Sequence, residues 1–249
     1  MVTGATSGIG RASALILAKN DCDVIITGRR KEKLDALEKE IRSAATGADV
    51  LALVFDVRNL EEVKKACGTL SGKWEKVDVL VNNAGLAVGM SHIHEGVVDD
   101  WERMIDTNVK GLLYITRHIS PGMVARGSGQ IINIGSVAGK EAYENGNVYN
   151  ATKYAVDGLT MGMRIDLAEH GIRVTAMNPG AVETEFSVVR FKGDQDKADN
   201  VYKGFEPLVA NDIAEAILFV VSRPAHVNID EMLVMATAQA RTRKIIKKG

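Results

Sequence analysis

Short runs of aliphatic and β-branched residues alternate along the chain with longer, charged, periodic stretches. Residues 23–27, 50–55, 77–81, 130–134, 173–177 and 232–235 are nearly continuous apolar runs, the pattern of strands covered on both faces. Between them, residues 31–44, 60–70 and 101–117 carry the spacing of amphipathic helices. A helix after each strand implies right-handed crossovers and a mainly parallel, doubly wound α/β sheet with helices on both faces. No internal repeat, low-complexity tract or shift in composition divides the chain, so residues 1–249 read as one domain. A glycine-rich turn begins at Thr3-Gly4, where a strand should precede it, yet only Met1 and Val2 do so. The expectation is a first strand short of its N-terminal residues, because a two-residue central strand leaves neighbouring ladders unpaired.

Composition adds mostly exclusions. With 46% apolar and 25% charged residues, the chain has the balance of a globular protein in water. Thirty-one basic residues against thirty-two acidic ones give a net charge of −1, which argues against a nucleic-acid partner. Cys22 and Cys67 stand far apart without a Cys-x-x-Cys or Cys/His cluster. That excludes a disulfide framework and a structural zinc site, and points to a reducing, cytoplasmic setting. No apolar run reaches the roughly eighteen residues of a membrane span and no signal-peptide pattern is present, so no membrane partner is expected.

Candidate chemistry begins at Thr3-Gly4-Ala5-Thr6-Ser7-Gly8-Ile9-Gly10, which runs into a helical stretch over 11–19. Glycines at this spacing allow a tight turn and let the backbone approach a pyrophosphate at a helix N-terminus. Turns and caps also use glycine for steric reasons alone, but the strand–turn–helix setting favours phosphate binding. The next strand ends at Thr27-Gly28-Arg29-Arg30. An NAD site would place an acid there for the ribose 2′-hydroxyl, whereas two guanidinium groups suit a 2′-phosphate, so NADP is the expected cofactor. The plain alternative is a solvated charge run continued by Lys31-Glu32-Lys33.

Ser136 follows the apolar run 130–134, and Tyr149 and Lys153 lie four residues apart, on one face of a helix. A phenol near pKa 10 is a poor base at neutral pH, and an adjacent ammonium together with an oxidised nicotinamide would lower that value. Tyr149 could then serve as general base in alcohol oxidation and general acid in carbonyl reduction, with Ser136 orienting the substrate oxygen. An isolated exposed Tyr–Lys pair is usually structural; its combination with a phosphate-binding turn points to catalysis.

Over essentially its whole length the sequence resembles the short-chain dehydrogenase/reductase family. The matching residues are Thr3 to Gly10, Asp56, Asn82-Asn83-Ala84-Gly85, Asn108, Ser136, Tyr149, Lys153 and Pro179-Gly180, in family order. The resemblance implies a Rossmann fold with a seven-stranded sheet in the order 3-2-1-4-5-6-7. It also implies an oligomer built partly from helix faces, a homotetramer being expected. In that family Asp56 would contact adenine, Asn83 would lie beside the adenosine ribose, and Val57, Ala84 and Gly85 would complete the cofactor contacts. Lys153 would bind the nicotinamide ribose and tune Tyr149, and Asn108 would hold a water relaying protons to solvent. Val182 and Thr184, after Pro179-Gly180, would hold the nicotinamide carboxamide.

Three stretches narrow the likeness: DDWERMIDTNVKG at 99–111, ETEFSVVRFKG at 183–193 and PAHVNI at 224–229. They resemble the NADP-dependent 3-hydroxy acid dehydrogenases, a group described as serine or allo-threonine dehydrogenases and as malonic semialdehyde reductases. A short 3-hydroxy acid such as serine, allo-threonine, 3-hydroxypropionate or 3-hydroxyisobutyrate is therefore the expected substrate. Its carboxylate needs a counter-charge, and Arg190 is the candidate; a helix cap or an ion pair at a subunit contact is the alternative. One departure stands out: the loop before Tyr149 carries Glu144 where that group has proline. Other readings are a carbonyl reductase acting on a 3-oxoacyl thioester or a sugar, and a cofactor-sensing protein without turnover.

Further signals are read as incidental. His92 and His94 lack companion ligands, so no metal is expected. Asn150-Ala151-Thr152 matches a glycosylation sequon by chance, between the two candidate catalytic residues. Met161 and Met163 read as core or interface filler. The basic run 241–248 reads as a solvated tail or one packed on a neighbouring subunit.

Overall fold

The computed structural model describes residues 1–45 and 47–247. Strands β1 (Val24–Gly28) and β2 (Val50–Val54) pair in parallel, and β3 (Val79–Asn82), β4 (Gly129–Ile134) and β5 (Ile172–Pro179) form a second parallel run. The short strands β6 (Val182–Glu183) and β7 (Leu208–Val209) pair apart from these, and β8 (Glu231–Val234) adds to β5. Val2 joins the two runs, bridging Ile26 of β1 and Val81 of β3 in parallel. The order is thus β2-β1-Val2-β3-β4-β5-β8, with a one-residue bridge where the expected first strand lies. Over that length the ladders are paired: Val2 N–H donates to Ile25 O at 2.8 Å and Val81 N–H to Met1 O at 2.8 Å.

Successive strand residues supply opposite cores. Ile26, Val81 and Ile132 pack with Leu17 of α1 (Gly8–Lys19), with Leu34, Leu37 and Ile41 of α2 (Lys31–Ala44), and with Ile213 and Ile217 near the chain's end. Their neighbours Ile25, Leu80 and Ile131 pack on the other face with Val63 of α3 (Leu60–Gly68) and with Ile115, Ile119 and Met123. This alternation explains the continuous apolar runs, since both faces of each central strand must be apolar. Each such side chain contributes about 2 kcal/mol by leaving water. The edges differ from the expectation of two covered faces: Val54 of β2 and Leu233 of β8 are about half exposed.

The helix expected over 101–117 is longer and interrupted. It runs as α4 (Val98–Ile105), a π-turn over Asp106–Gly111 and α5 (Leu112–Arg126), with Pro121 accommodated inside α5. The π-turn carries Asn108, and such widened turns recur at functional sites. Helix α6 (Asn147–Leu167) carries Tyr149 and Lys153. The hairpin of α7 (Glu185–Arg190) and α8 (Gln195–Tyr202) follows β6, and α9 (Ala210–Val221) completes the first core. A buried polar network ties sheet to helices: Asn82 Nδ2 donates to Asn133 Oδ1 and Thr116 Oγ1, and Asn133 Nδ2 to Thr160 Oγ1. It fixes α5 and α6 against β3 and β4, so the helix bearing the candidate catalytic pair has one setting.

Candidate active site

The loops leaving the C-terminal ends of the strands enclose a cleft of about 850 Å³, where ligands bind in open α/β sheets. Every site residue expected from the sequence lines it except Gly10 and Asn108. Both of these act one layer behind the surface. A Cβ on Gly10 would lie 2.3 Å from Asn83 Nδ2 and 2.5 Å from Gly4 O, so only glycine lets α1 approach the turn. Asn108 is buried and commits its side chain locally. Its Oδ1 accepts from Leu86 N–H at 2.8 Å, while Nδ2 donates to Leu86 O and to Thr152 Oγ1.

The glycine turn is braced from the neighbouring loop. Asn83 Nδ2 donates to Thr3 O at 2.9 Å and Gly4 O at 3.2 Å, while Thr3 Oγ1 accepts from the backbone N–H groups of Asn83 and Ala84. The Asn83 side chain thus holds the turn, and Asn83 also lines the cleft. Helix α1 opens at Gly8 with no side-chain cap on Ser7 and no acid in its first turn, leaving its N–H groups and positive end for an anion. Beside it, the Arg30 guanidinium donates to Thr6 Oγ1 at 2.8 Å and Ser7 Oγ at 3.0 Å. A cation and two hydroxyls at the end of β1 fit the 2′-phosphate of NADP. Arg29 lies 3.5 Å from Asp56, which Arg58 also holds. Partial burial pushes the Asp56 carboxyl up, but hydrogen bonds from Arg58 and the charge of Arg29 hold it below the usual range.

Glu185, at the start of α7, reaches across to pair with Arg30 at 2.9 Å and with Lys33. Partial burial opposes its ionisation, yet the bonds from Lys33 and Arg30 bring its pKa down to about 2. Thr184, immediately before it, caps α7 by accepting from Phe186 N–H. Pro179, Gly180 and Val182 line the same wall.

At the other end the structure brings Ser136, Tyr149 and Lys153 together, all buried. Ser136 N–H donates to Asn178 Oδ1 at 3.1 Å, and its Oγ accepts from Ala138 N–H at 3.0 Å. A Cβ on Gly135 would lie 1.9 Å from that Asn178 oxygen, so glycine there makes room for the brace. Burial pushes the Tyr149 phenol up to about 12, against the pull of the Ser136 hydroxyl and the Arg190 charge. Lys153 is pushed down to about 8 by the same loss of water, and its Nζ donates to Ile134 O at 2.8 Å. The lowering expected from the ammonium and an oxidised nicotinamide together belongs to the cofactor-bound site; burial by itself pushes the phenol up, and Lys153 is turned to a backbone carbonyl.

Arg190 sits 5.4 Å from the Tyr149 ring and 5.3 Å from that of Tyr143, whose hydroxyl accepts from its Nη2. Its buried Nε has no hydrogen-bond partner, and no carboxylate lies within salt-bridge distance among the described residues. Among the described residues, neither a cap nor an ion pair thus accounts for Arg190. Glu144 is exposed and faces His92 at 4.0 Å instead of lining the cleft.

Comparison with known proteins agrees with this geometry. The sequence model of the short chain dehydrogenase family matches residues 1–195. The chain belongs to the short-chain dehydrogenase family. An NADP-dependent 3-hydroxy acid dehydrogenase, YdfG of Salmonella typhi, is 48% identical over 241 residues, 96% of this chain and 95% of its own. The serine 3-dehydrogenase of Rhizobium radiobacter is 43% identical over 240 residues, 96% of this chain and 94% of its own. Among solved structures, the closed form of serine dehydrogenase complexed with NADP+ superposes with a TM-score of 0.91 at 45% identity, covering 96% of this chain and 95% of that one. A serine dehydrogenase from Escherichia coli superposes at 0.81 with 40% identity, covering 96% of this chain and 98% of that one.

Several site residues of this short-chain dehydrogenase escape a reading of the sequence. Asn178 braces Ser136 and Thr152 holds Asn108. Asn178 carries a signal, being a polar residue that ends an apolar strand just before Pro179-Gly180. Tyr143 and Glu185 carry none, because their partners are distant in sequence. The basic C-terminal run is corrected too: Thr242, Arg243, Ile245 and Lys247 line this chain's own cleft, and Lys248 lies outside the described residues. Met163 packs in the second core, whereas Met161 is about half exposed.

Proposed function

We propose that the protein is an NADP-dependent dehydrogenase that interconverts the 3-hydroxy and 3-oxo groups of short carboxylic acids of the serine, allo-threonine, 3-hydroxypropionate or 3-hydroxyisobutyrate class. The observation that carries the reading is Arg190, a partly buried guanidinium beside the Tyr149 ring with no carboxylate within salt-bridge distance among the described residues. A carboxylate gripped there would set the neighbouring hydroxyl at the phenol. The charge of the whole cleft supports an anionic cofactor and substrate: eight basic residues line it against two acidic ones, Asp56 and Glu185. The names of the relatives agree with this reading.

Arg29, Arg30, Thr6, Ser7 and the N-terminus of α1 would hold the phosphates of NADP, and Thr184 and Val182 its nicotinamide end. When bound, the oxidised nicotinamide supplies the hydride acceptor and a positive charge beside the phenol. Tyr149 takes the hydroxyl proton in oxidation and returns it in reduction. Ser136, held by Asn178, orients the substrate oxygen. Lys153, pushed down to about 8 by burial, passes the proton on, and Asn108 keeps the loop at Leu86 in place beside it. The whole chain acts as one catalytic unit in the cytoplasm. A homotetramer is favoured by the exposed apolar face of α6, where Tyr154, Met161 and Ile165 recur at helical spacing and Ile165 is 78% exposed.

Replacing Arg190 by Ala tests the substrate class. The expected result is a rise of roughly tenfold or more in KM for a short 3-hydroxy acid, the loss of a charge-assisted bond. An unchanged KM would contradict carboxylate recognition by this residue.

A further inference from the structure

The C-terminal segment folds back as a tight hairpin, with Ala240 N–H donating to Lys244 O at 2.9 Å and Ile246 N–H to Ala238 O at 2.8 Å. Two anchors fix it over the cleft. Gln239, buried, accepts from Ala181 N–H through Oε1 at 2.8 Å. At the hairpin tip, Glu141 Oε2 accepts from both the backbone N–H and the hydroxyl of Thr242 at 3.2 Å. The tip thereby sets Arg243 with its guanidinium 5.4 Å from the Tyr143 ring, lining the cleft. Tyr143 is the ring that Arg190 also approaches, at 5.3 Å. Glu141 lies 3.8 Å from Arg241, and no carboxylate lies within salt-bridge distance of Arg243 among the described residues. Two guanidinium groups, both without an acidic partner, therefore share one aromatic ring at the substrate end. Arg190 is the inner one, since it also lies 5.4 Å from Tyr149, and Arg243 is the outer one.

We propose that Arg243 is a specificity-determining residue that recognises a second, distal anionic group, so that 3-hydroxydicarboxylates are accepted in preference to 3-hydroxymonocarboxylates of the same length. This rests on the reading of Arg190 as the contact for the first carboxylate. Arg243 is exposed at the hairpin tip, so an anion held by it would sit at the solvent edge of the cleft. Both guanidinium groups approach the Tyr143 ring, at 5.3 and 5.4 Å, so two charges without acidic partners among the described residues stand at one end of the cleft.

The test compares kcat/KM for 3-hydroxyglutarate and 3-hydroxypentanoate, five-carbon acids that differ in a distal carboxylate. The wild type is expected to favour 3-hydroxyglutarate about fivefold at low ionic strength, the scale of a solvent-accessible charge pair, with the preference shrinking as salt is added. Arg243→Ala brings the ratio to about one and Arg243→Glu inverts it. A wild-type ratio near one, or a preference that survives Arg243→Glu, overturns the proposal. So does turnover of L-serine or 3-hydroxypropionate with neither five-carbon acid oxidised. Failure to oxidise any 3-hydroxy acid, with NADPH still bound, overturns the substrate class itself and this inference with it.

Discussion

Lys153 is a buried ammonium that the fold holds at a cost, and removing it should stabilise the protein while abolishing turnover. Holding its pKa at about 8 instead of 10.5 costs the folded state about 3 kcal/mol at neutral pH. Lys153→Met keeps the volume but leaves Ile134 O without its 2.8 Å donor, a loss of roughly 1–2 kcal/mol. The expected net gain is about 1 kcal/mol, or about 3 °C in Tm for a chain of this size. The gain has a defined pH dependence. The unfolded lysine keeps its proton up to about 10.5 and the folded one only up to about 8, so wild-type stability rises with pH between those values. The advantage of the variant is therefore full below about pH 8 and fades toward pH 10.5. Thermal or urea unfolding of both proteins at pH 7 and at pH 10 measures it. A variant less stable at pH 7, or a gain that does not change with pH, would refute the claim that burial dominates at this residue.

Other expectations follow from single contacts. Arg30→Ala removes the cation bonded to Thr6 and Ser7; about 2 kcal/mol remains after the exposed Glu185 pair is discounted, so the ratio of kcat/KM for NADP over NAD should fall roughly 30-fold. An equal loss with both cofactors would contradict recognition of the 2′-phosphate. Gly10→Ala drives a methyl against Asn83 and Gly4 O and should weaken NADPH binding by at least about tenfold in fluorescence titration, as the turn is displaced. Unchanged affinity would show that the turn tolerates the shift. Asn178→Ala leaves the Ser136 N–H without its acceptor and should lower kcat about tenfold while KM for NADP stays the same. A rise in that KM instead would place its role at the cofactor.

What is legible in the sequence is what local physics dictates. Ile25-Ile26, Leu80-Val81 and Ile131-Ile132 must serve two cores, so their runs announce covered strands. The turn from Thr3 to Gly10 and the Tyr149–Lys153 spacing are readable because each lies within a few residues. Boundaries fail where context overrides local rules. Pro121 is carried inside α5, and the π-turn at Asn108 leaves no trace in the periodicity. The largest gap concerns contacts made across the chain. Nothing near Arg190 in sequence points to Tyr143, and nothing in the basic run at the C-terminus announces a hairpin pinned by Glu141 and Ala181. The burial of Tyr149 is hidden from the sequence for a related reason. Spacing reveals a neighbouring lysine, whereas the burial that decides the balance is a property of the fold.

The central claim is oxidation of a short 3-hydroxy acid by NADP with Tyr149 as the proton-transfer group. The most direct test is NADPH formation by the purified protein and its Tyr149→Phe variant. L-serine, L-allo-threonine, 3-hydroxypropionate and 3-hydroxyisobutyrate serve as substrates, with NAD in parallel. The account predicts turnover of at least one of these acids with NADP, weaker turnover with NAD, and near-complete loss in the variant while NADPH still binds. Binding of NADPH without oxidation of any of them, or undiminished turnover by Tyr149→Phe, would contradict it.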